Sequence, residues 1–149
     1  MAVSTRTAVA VHALTFLARW DGEGVQSSAR IAESLDSNPV LVRRVLGLLR
    51  NQGLVSALAG SGGGWRLAKP AGEITLFDAY AAVEDDLTVL PTHAHPPNQG
   101  CVIGRHMQTL LDQEFTAAQQ ALESRLAATT IAEMLIRVLH RDGRTPLPT

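Results

Sequence analysis

Arg43 and Arg44 are adjacent, and each guanidinium is a rigid fork of donors that fits a guanine edge or a phosphate. A second group of reactive types is His93, His95, Cys101 and His106, since imidazole and thiolate both bind transition metals. Its spacing matches no closed zinc motif. Two of those histidines fall in a proline-rich stretch and read as exposed side chains. Cys101 and His106, five apart, do not point together as nucleophile and base, and no Ser-His-Asp arrangement is legible. No catalytic residue and no metal ligand set is therefore assigned, and the chain reads as something other than an enzyme.

The arginines need an element to present them, and the sequence writes one. Asn38 can cap a helix, and Pro39 suits its first position, where no donor is missed. Gly53 supplies a left-handed stop after Arg50-Asn51-Gln52. Leu41, Val42, Val45, Leu46, Leu48 and Leu49 recur at helical spacing as a core-facing stripe, leaving Val40, Arg43, Arg44, Gly47 and Asn51 on the other face. Upstream, Ser27 or Ser28 caps a short helix through Leu35, and Asp36-Ser37 separates the two, which completes a helix-turn-helix. Downstream, Leu54-Val55-Ser56 and Trp65-Arg66-Leu67 flank Ala57 to Gly64, a hairpin with a glycine-rich flexible tip. That run lacks the lysine and hydroxyl of a phosphate-cradling P-loop and is followed by a strand, not a helix.

A helix-turn-helix followed by a wing points to DNA. The same unit can also serve protein contacts, so both readings stay open at this point. The net charge of −1 over 149 residues gives no bulk attraction to nucleic acid, but it hides an asymmetry. Residues 1–70 carry eight Lys or Arg against four Asp or Glu, a balance of +4; residues 71–149 carry five against ten, a balance of −5. The basic half is the half with the reading helix.

The length suits one domain with an extension, and 46% hydrophobic residues suit a globular protein. No apolar run is long enough to cross a membrane and the start lacks a secretory pattern, so a cytoplasmic location is expected. One cysteine cannot form an intramolecular disulfide. A first helix from Ser4 to Trp20 is apolar over most of its circumference, except along a stripe of Thr5, Ala8, His12, Thr15 and Arg19. His12 reads as solvent-facing or hydrogen-bonded. A fourth helix starts at Thr75 with Asp78 answering three positions later. Residues 87–100, with Pro91, Pro96, Pro97 and Gly100, read as a loop. From Val102 to Leu126 an apolar stripe returns at helical spacing, on a helix of about 36 Å, longer than a small winged domain needs. Pairing with a second copy explains it. Thr130 to Glu133 begins a last helix, and the tail after Gly143 reads as frayed. Cys101 sits at the start of the long helix, where free amides favour thiolate; a small buried apolar residue is the alternative.

These motifs resemble the Rrf-two (Rrf2) family of bacterial winged-helix transcription regulators. The resemblance is carried by Thr7-Ala8-Val9-Ala10-Val11-His12, by Asn38 to Leu46 with Gly53-Leu54-Val55, by Gly62-Gly63-Gly64-Trp65 and by Ala128 to Ala132. It implies a homodimer joined through the long helix, bound to a partly palindromic operator in double-stranded DNA, usually as a repressor. By position it puts groove contacts on Val40, Arg43 and Arg44, and phosphate or minor-groove contacts on Ser28, Asn38 and the wing residues Ser61, Gly62 and Gly63. The chain also departs from the family pattern. Where many relatives carry an arginine before the wing glycines, this chain has Ala59. Relatives that hold an iron-sulfur cluster use three cysteines, and only Cys101 is present; a rarer type uses a helix-one glutamate and histidine with one cysteine, and here Ala8 stands at the glutamate position before His12.

The expectation is a mainly α fold with a small β-hairpin wing, a winged helix-turn-helix plus a long C-terminal dimerisation helix. Residues 1–84 form the DNA-binding part, 85–100 a loop, and 101–149 the dimerisation and sensor helices. No cofactor is expected. The sensor candidates are Cys101 and His12, responding to redox conditions or to a small ligand. Two other readings stand beside this one: a winged-helix protein-interaction module without DNA binding, and a metal or cluster sensor built on Cys101 and His12.

Overall fold

The computed structural model describes residues 4–144. In chain order it has α1 (Arg6–Arg19), α2 (Ser28–Leu35), α3 (Pro39–Asn51), β1 (Val55–Leu58), β2 (Gly64–Leu67), a short 3-10 turn (Ala71–Glu73), α4 (Leu76–Val83), α5 (Val102–Ala127) and α6 (Ile131–Arg141). The expected mainly helical fold with one small hairpin is what the chain adopts. Of the tail after Gly143, Arg144 is described, its amide donating to the Leu139 carbonyl at 2.8 Å, and residues 145–149 lie outside the described residues.

Local chemistry accounts for the helix ends. Ser27, not Ser28, caps α2 by accepting from the Arg30 amide at 3.2 Å, because Ser27 is the extended residue before the first turn. Asn38 caps α3 from the extended region and accepts from the Val40 amide at 2.8 Å, with Pro39 following. Gly53 closes that helix at φ +74°, as its position implies. Between α2 and α3 the left-handed turn residue is Asp36, at φ +48°, a conformation whose strain a short polar side chain tolerates better than most. Thr75 and Asp78 form a reciprocal capping box on α4. At α6 only half of that device forms: Thr130 accepts from the Glu133 amide.

One core joins the front helices. Leu14 and Leu17 of α1, Ile31 of α2 and Val42, Val45, Leu46 and Leu49 of α3 are buried together with Val55 and Leu67 of the hairpin. Leu41 and Leu48 are only partly buried, since they lie at the margin of the stripe. Ile131 of α6 enters the same core, held there by its amide donating to the Ile74 carbonyl at 2.8 Å and by the Leu76 amide donating to Thr129 at 2.9 Å. Of the 101–149 segment, α6 thus packs with the front helices, chiefly against α1. Helix α5 differs: none of its 26 residues is buried, and at ~1.5 Å per residue it is about 39 Å long.

Strand β1 runs two residues farther than its apolar start suggests. Ala57 pairs with Trp65 and Leu58 with Gly64, so the tip shrinks to residues 59–63. Gly64 is a strand residue by its pairing with Leu58, and it is glycine because a Cβ there would stand 2.5 Å from the Gln26 carbonyl oxygen. Gln26 in turn makes a one-residue antiparallel bridge to Trp65, giving the hairpin a short third neighbour.

Candidate nucleic-acid interface

Burying Val42, Val45, Leu46 and Leu49 turns the opposite side of α3 outward. Val40 is 55% exposed, Arg43 and Arg44 are exposed, and neither arginine forms an ion pair among the described residues. Their donors are available to an outside acceptor. At Gly47 an added Cβ would meet nothing within 4 Å, so this part of the helix surface is low and open to close approach. Asn38 uses its carbonyl oxygen as the cap, which leaves the amide nitrogen of the side chain to donate outward. Ser28 is the first helical residue of α2, where backbone amides have no intrahelical acceptor.

The wing tip is built from glycine geometry. Gly60 and Gly62 take φ values of +90° and +77°, which close the turn. Ser61 and Gly62 are exposed, whereas the Gly63 amide donates to Gly60 at 3.0 Å and a Cβ at Gly63 would stand 2.1 Å from the Leu58 carbonyl oxygen. Gly63 therefore shapes the tip and does not offer its amide. No cation lies between Leu58 and Gly64. The nearest, Arg66, turns its Nε toward Ser56 at 3.4 Å.

Three residues to which the sequence alone gives no site role tie these parts together. Arg50 lies in the last turn of α3 with its guanidinium 5.6 Å from the centre of the Trp65 ring, and Gln26 holds Trp65 from the other strand edge. Trp65 follows the glycine run directly, which is the one sequence signal that could have marked it; Gln26 carries no such signal.

The sensor candidates occupy separate surroundings. His12, which lines an apolar groove, donates to or accepts from the Ser34 hydroxyl through Nε2 at 2.8 Å, and partial burial lowers its pKa. That groove has a volume of about 740 Å³ and is lined by Ala8, Thr15, Phe16, Leu126, Met134 and Val138 among others. Cys101 is exposed at the N-cap of α5 and does not line the groove. The amides of Gly104, first, and Ile103 pull its thiol pKa down, although neither closes a full side-chain cap. His93, His95 and His106 are exposed. Among the described residues no cluster of three or more His, Cys, Asp or Glu is placed to hold a metal ion. An iron-sulfur cluster needs several thiolate or equivalent ligands. One thiol in the whole chain, and a methyl group at Ala8 where a carboxylate would be required, do not fit one.

Among the described residues no helix is long and apolar enough to cross a membrane. Comparison with known proteins bears on the family and the fold. YwnA of Bacillus subtilis (strain 168), an HTH-type protein by its description, is 32% identical over 133 residues, 89% of this chain and 96% of its own length. The solved structure of T. potens IscR superimposes with a TM-score of 0.70 at 25% identity, covering 93% of this chain and 88% of that one. Staphylococcus aureus CymR in its oxidized form superimposes with a TM-score of 0.69 at 25% identity, covering 91% and 96% respectively. Residues 3–137 match the Rrf2 family, described as iron-dependent transcriptional regulators, and the chain therefore belongs to this family of DNA-binding regulators and is not an enzyme.

Proposed function

We propose that the chain acts in the cytoplasm as a homodimer that binds a partly palindromic operator and represses transcription from it. The observation that carries this reading is the outward face of α3, where Val40, Arg43 and Arg44 stand exposed and without ion-pair partners among the described residues. In the proposal Arg43 and Arg44 donate to guanine edges and Val40 packs on a thymine methyl. Ser28, Asn38, Ser61 and Gly62 hold phosphates, with Gly63 setting the shape of the tip. Residues 1–84 read DNA, 85–100 form a connecting loop, and 101–149 supply pairing and sensing, with α6 seated on the front core.

Pairing falls to α5. Val102, Ile103 and Leu110 on it are 68%, 65% and 54% exposed, apolar surface whose burial against a second copy is favourable. Two copies related by a twofold axis present two reading helices to two half-sites, which is why the operator is palindromic. For sensing, the exposed, acidified thiol of Cys101 is the redox candidate. Its thiolate attacks one oxygen of hydrogen peroxide and breaks the O–O bond, giving a sulfenic acid and hydroxide. That a related CymR has been solved in an oxidized form supports this choice. The groove beside His12 is the corresponding candidate for a small ligand.

The same exposed α5 face also favours a second reading, in which the long helix of a winged-helix interaction module docks a different protein and the chain ignores DNA. One set of measurements separates them. Fluorescence anisotropy with a duplex enriched from a random pool should show binding that weakens steeply with salt. It should also fall by about 1–3 kcal/mol for Arg43→Ala or Arg44→Ala. Sedimentation should give a dimer that Ile103→Glu with Leu110→Glu converts to monomer. A monomeric wild-type protein with no selectable DNA would favour the docking module instead.

A further inference from the structure

Trp65 stands where the wing, the reading helix and the loop after α1 meet. Its backbone exchanges two hydrogen bonds with Gln26: the Gln26 amide donates to the Trp65 carbonyl and the Trp65 amide donates to the Gln26 carbonyl, both at 2.8 Å. The Arg50 guanidinium, from the last turn of α3, lies 5.6 Å from its ring centre. Gln26 is itself only 5% exposed, and its side-chain oxygen accepts from Arg30 Nη1. The Arg30 guanidinium covers the Trp20 ring at 5.1 Å and the Phe16 ring at 5.8 Å. Neither Arg30 nor Arg50 forms an ion pair among the described residues. Arg30 and Arg50 are both engaged with aromatic faces.

We propose that Trp65, clamped between Gln26 and Arg50, is the positioning residue that sets where the wing stands relative to α3, and that Arg50 acts through Trp65 and not as a phosphate ligand. The proposal rests on the DNA-binding reading given above. A two-stranded hairpin is marginal by itself; this one buries Val55 and Leu67 in the core at its base, and beyond them only the partly buried Trp65 packs against it. Its tip is more than a strand length away and carries no cation that could correct a misplaced approach. Affinity therefore depends on the tip arriving at the phosphates in the right place when α3 is seated. The Gln26 bridge fixes the hairpin on one edge, and the Arg50 stack fixes it to the reading helix. Gly64 is the enabling residue, since any side chain there would push Gln26 away.

The test uses the full chain and a duplex that the wild-type protein enriches from a random-sequence pool. Hydroxyl-radical cleavage reports sugar and minor-groove protection, where the wing acts; methylation of guanine N7 reports major-groove protection, where α3 acts. Trp65→Leu and Arg50→Met should each lose the wing protection, keep the guanine protection and bind about ten-fold more weakly. Trp65→Phe, which keeps a ring face for Arg50, should restore the wild-type footprint. Arg50→Met leaves the strand bridge untouched, so it reads the stack even where Trp65→Leu unfolds, as circular dichroism would report. Intact wing protection in Arg50→Met, with a salt slope reduced by about one phosphate contact, makes Arg50 a phosphate ligand and overturns the proposal. Joint loss of both protections in a folded Arg50→Met also overturns it. A wild-type protein that enriches no duplex overturns the DNA-binding reading itself, a result distinct from either.

Discussion

The Nε2 atom of His12 and the hydroxyl of Ser34 meet at 2.8 Å, joining α1 to α2 beside an apolar groove that both residues line. Partial burial lowers the His12 pKa from its ordinary 6.5, so the folded protein binds this proton less readily than the unfolded chain does. The sign follows from that. This contribution to stability is complete above pH 6.5 and is lost as pH falls from there through the lowered folded value. Thermal melts at about pH 8 and about pH 5 should show a loss on acidification that is smaller in His12→Gln. Equal losses in the two proteins would remove His12 from the account.

Gly47 and the reading face make a prediction with opposite signs. An added Cβ meets nothing within 4 Å and the residue lies inside α3, so Gly47→Ala should stabilise the fold by up to about 1 kcal/mol, raising Tm by about 4 °C. On the DNA face the same methyl raises a low surface, and affinity for a selected duplex should fall. Calorimetry and anisotropy on one sample check both signs.

At Gly64 the expectation is a plain loss. A Cβ would stand 2.5 Å from the Gln26 carbonyl oxygen and 2.7 Å from its carbon, both backbone atoms that cannot rotate aside. Gly64→Ala should cost about 1–3 kcal/mol in urea unfolding, by the usual penalty of overpacking. The control is Gly72→Ala, where no atom lies within 4 Å.

Cys101 should react as an activated surface thiol. It is exposed, and the amides at the start of α5 lower its pKa from the ordinary 9.0. The rate of iodoacetamide labelling against pH should reach half its maximum below that value. Cys101→Ala should leave the melting temperature unchanged, since the exposed side chain buries nothing and closes no cap.

Much of the positioning machinery is legible in one dimension because its causes are local. Asn38, Pro39 and Gly53 bound α3 through caps and a left-handed stop that involve neighbours only. Thr75 and Asp78 do the same for α4. The stripe of α3 separates core from surface because helical periodicity alone decides which residues share a face. The wing was less legible: Ala57 and Leu58 are exposed and carry no apolar alternation, so only their pairing with Trp65 and Gly64 makes them strand.

What the chain determines by itself is therefore the order of elements, the outward face of Arg43 and Arg44 and the membership of the family, all consequences of periodicity, capping and motif. Only the tertiary structure decided that Ile131 returns to the front core while α5 stays unburied, that His12 meets Ser34, and that Trp65 joins Gln26 to Arg50. Those contacts link residues from 15 positions apart, Arg50 and Trp65, to 57 apart, Ile74 and Ile131. Nothing local in a sequence encodes such a meeting, because it follows from how the helices stack once their apolar faces are buried together.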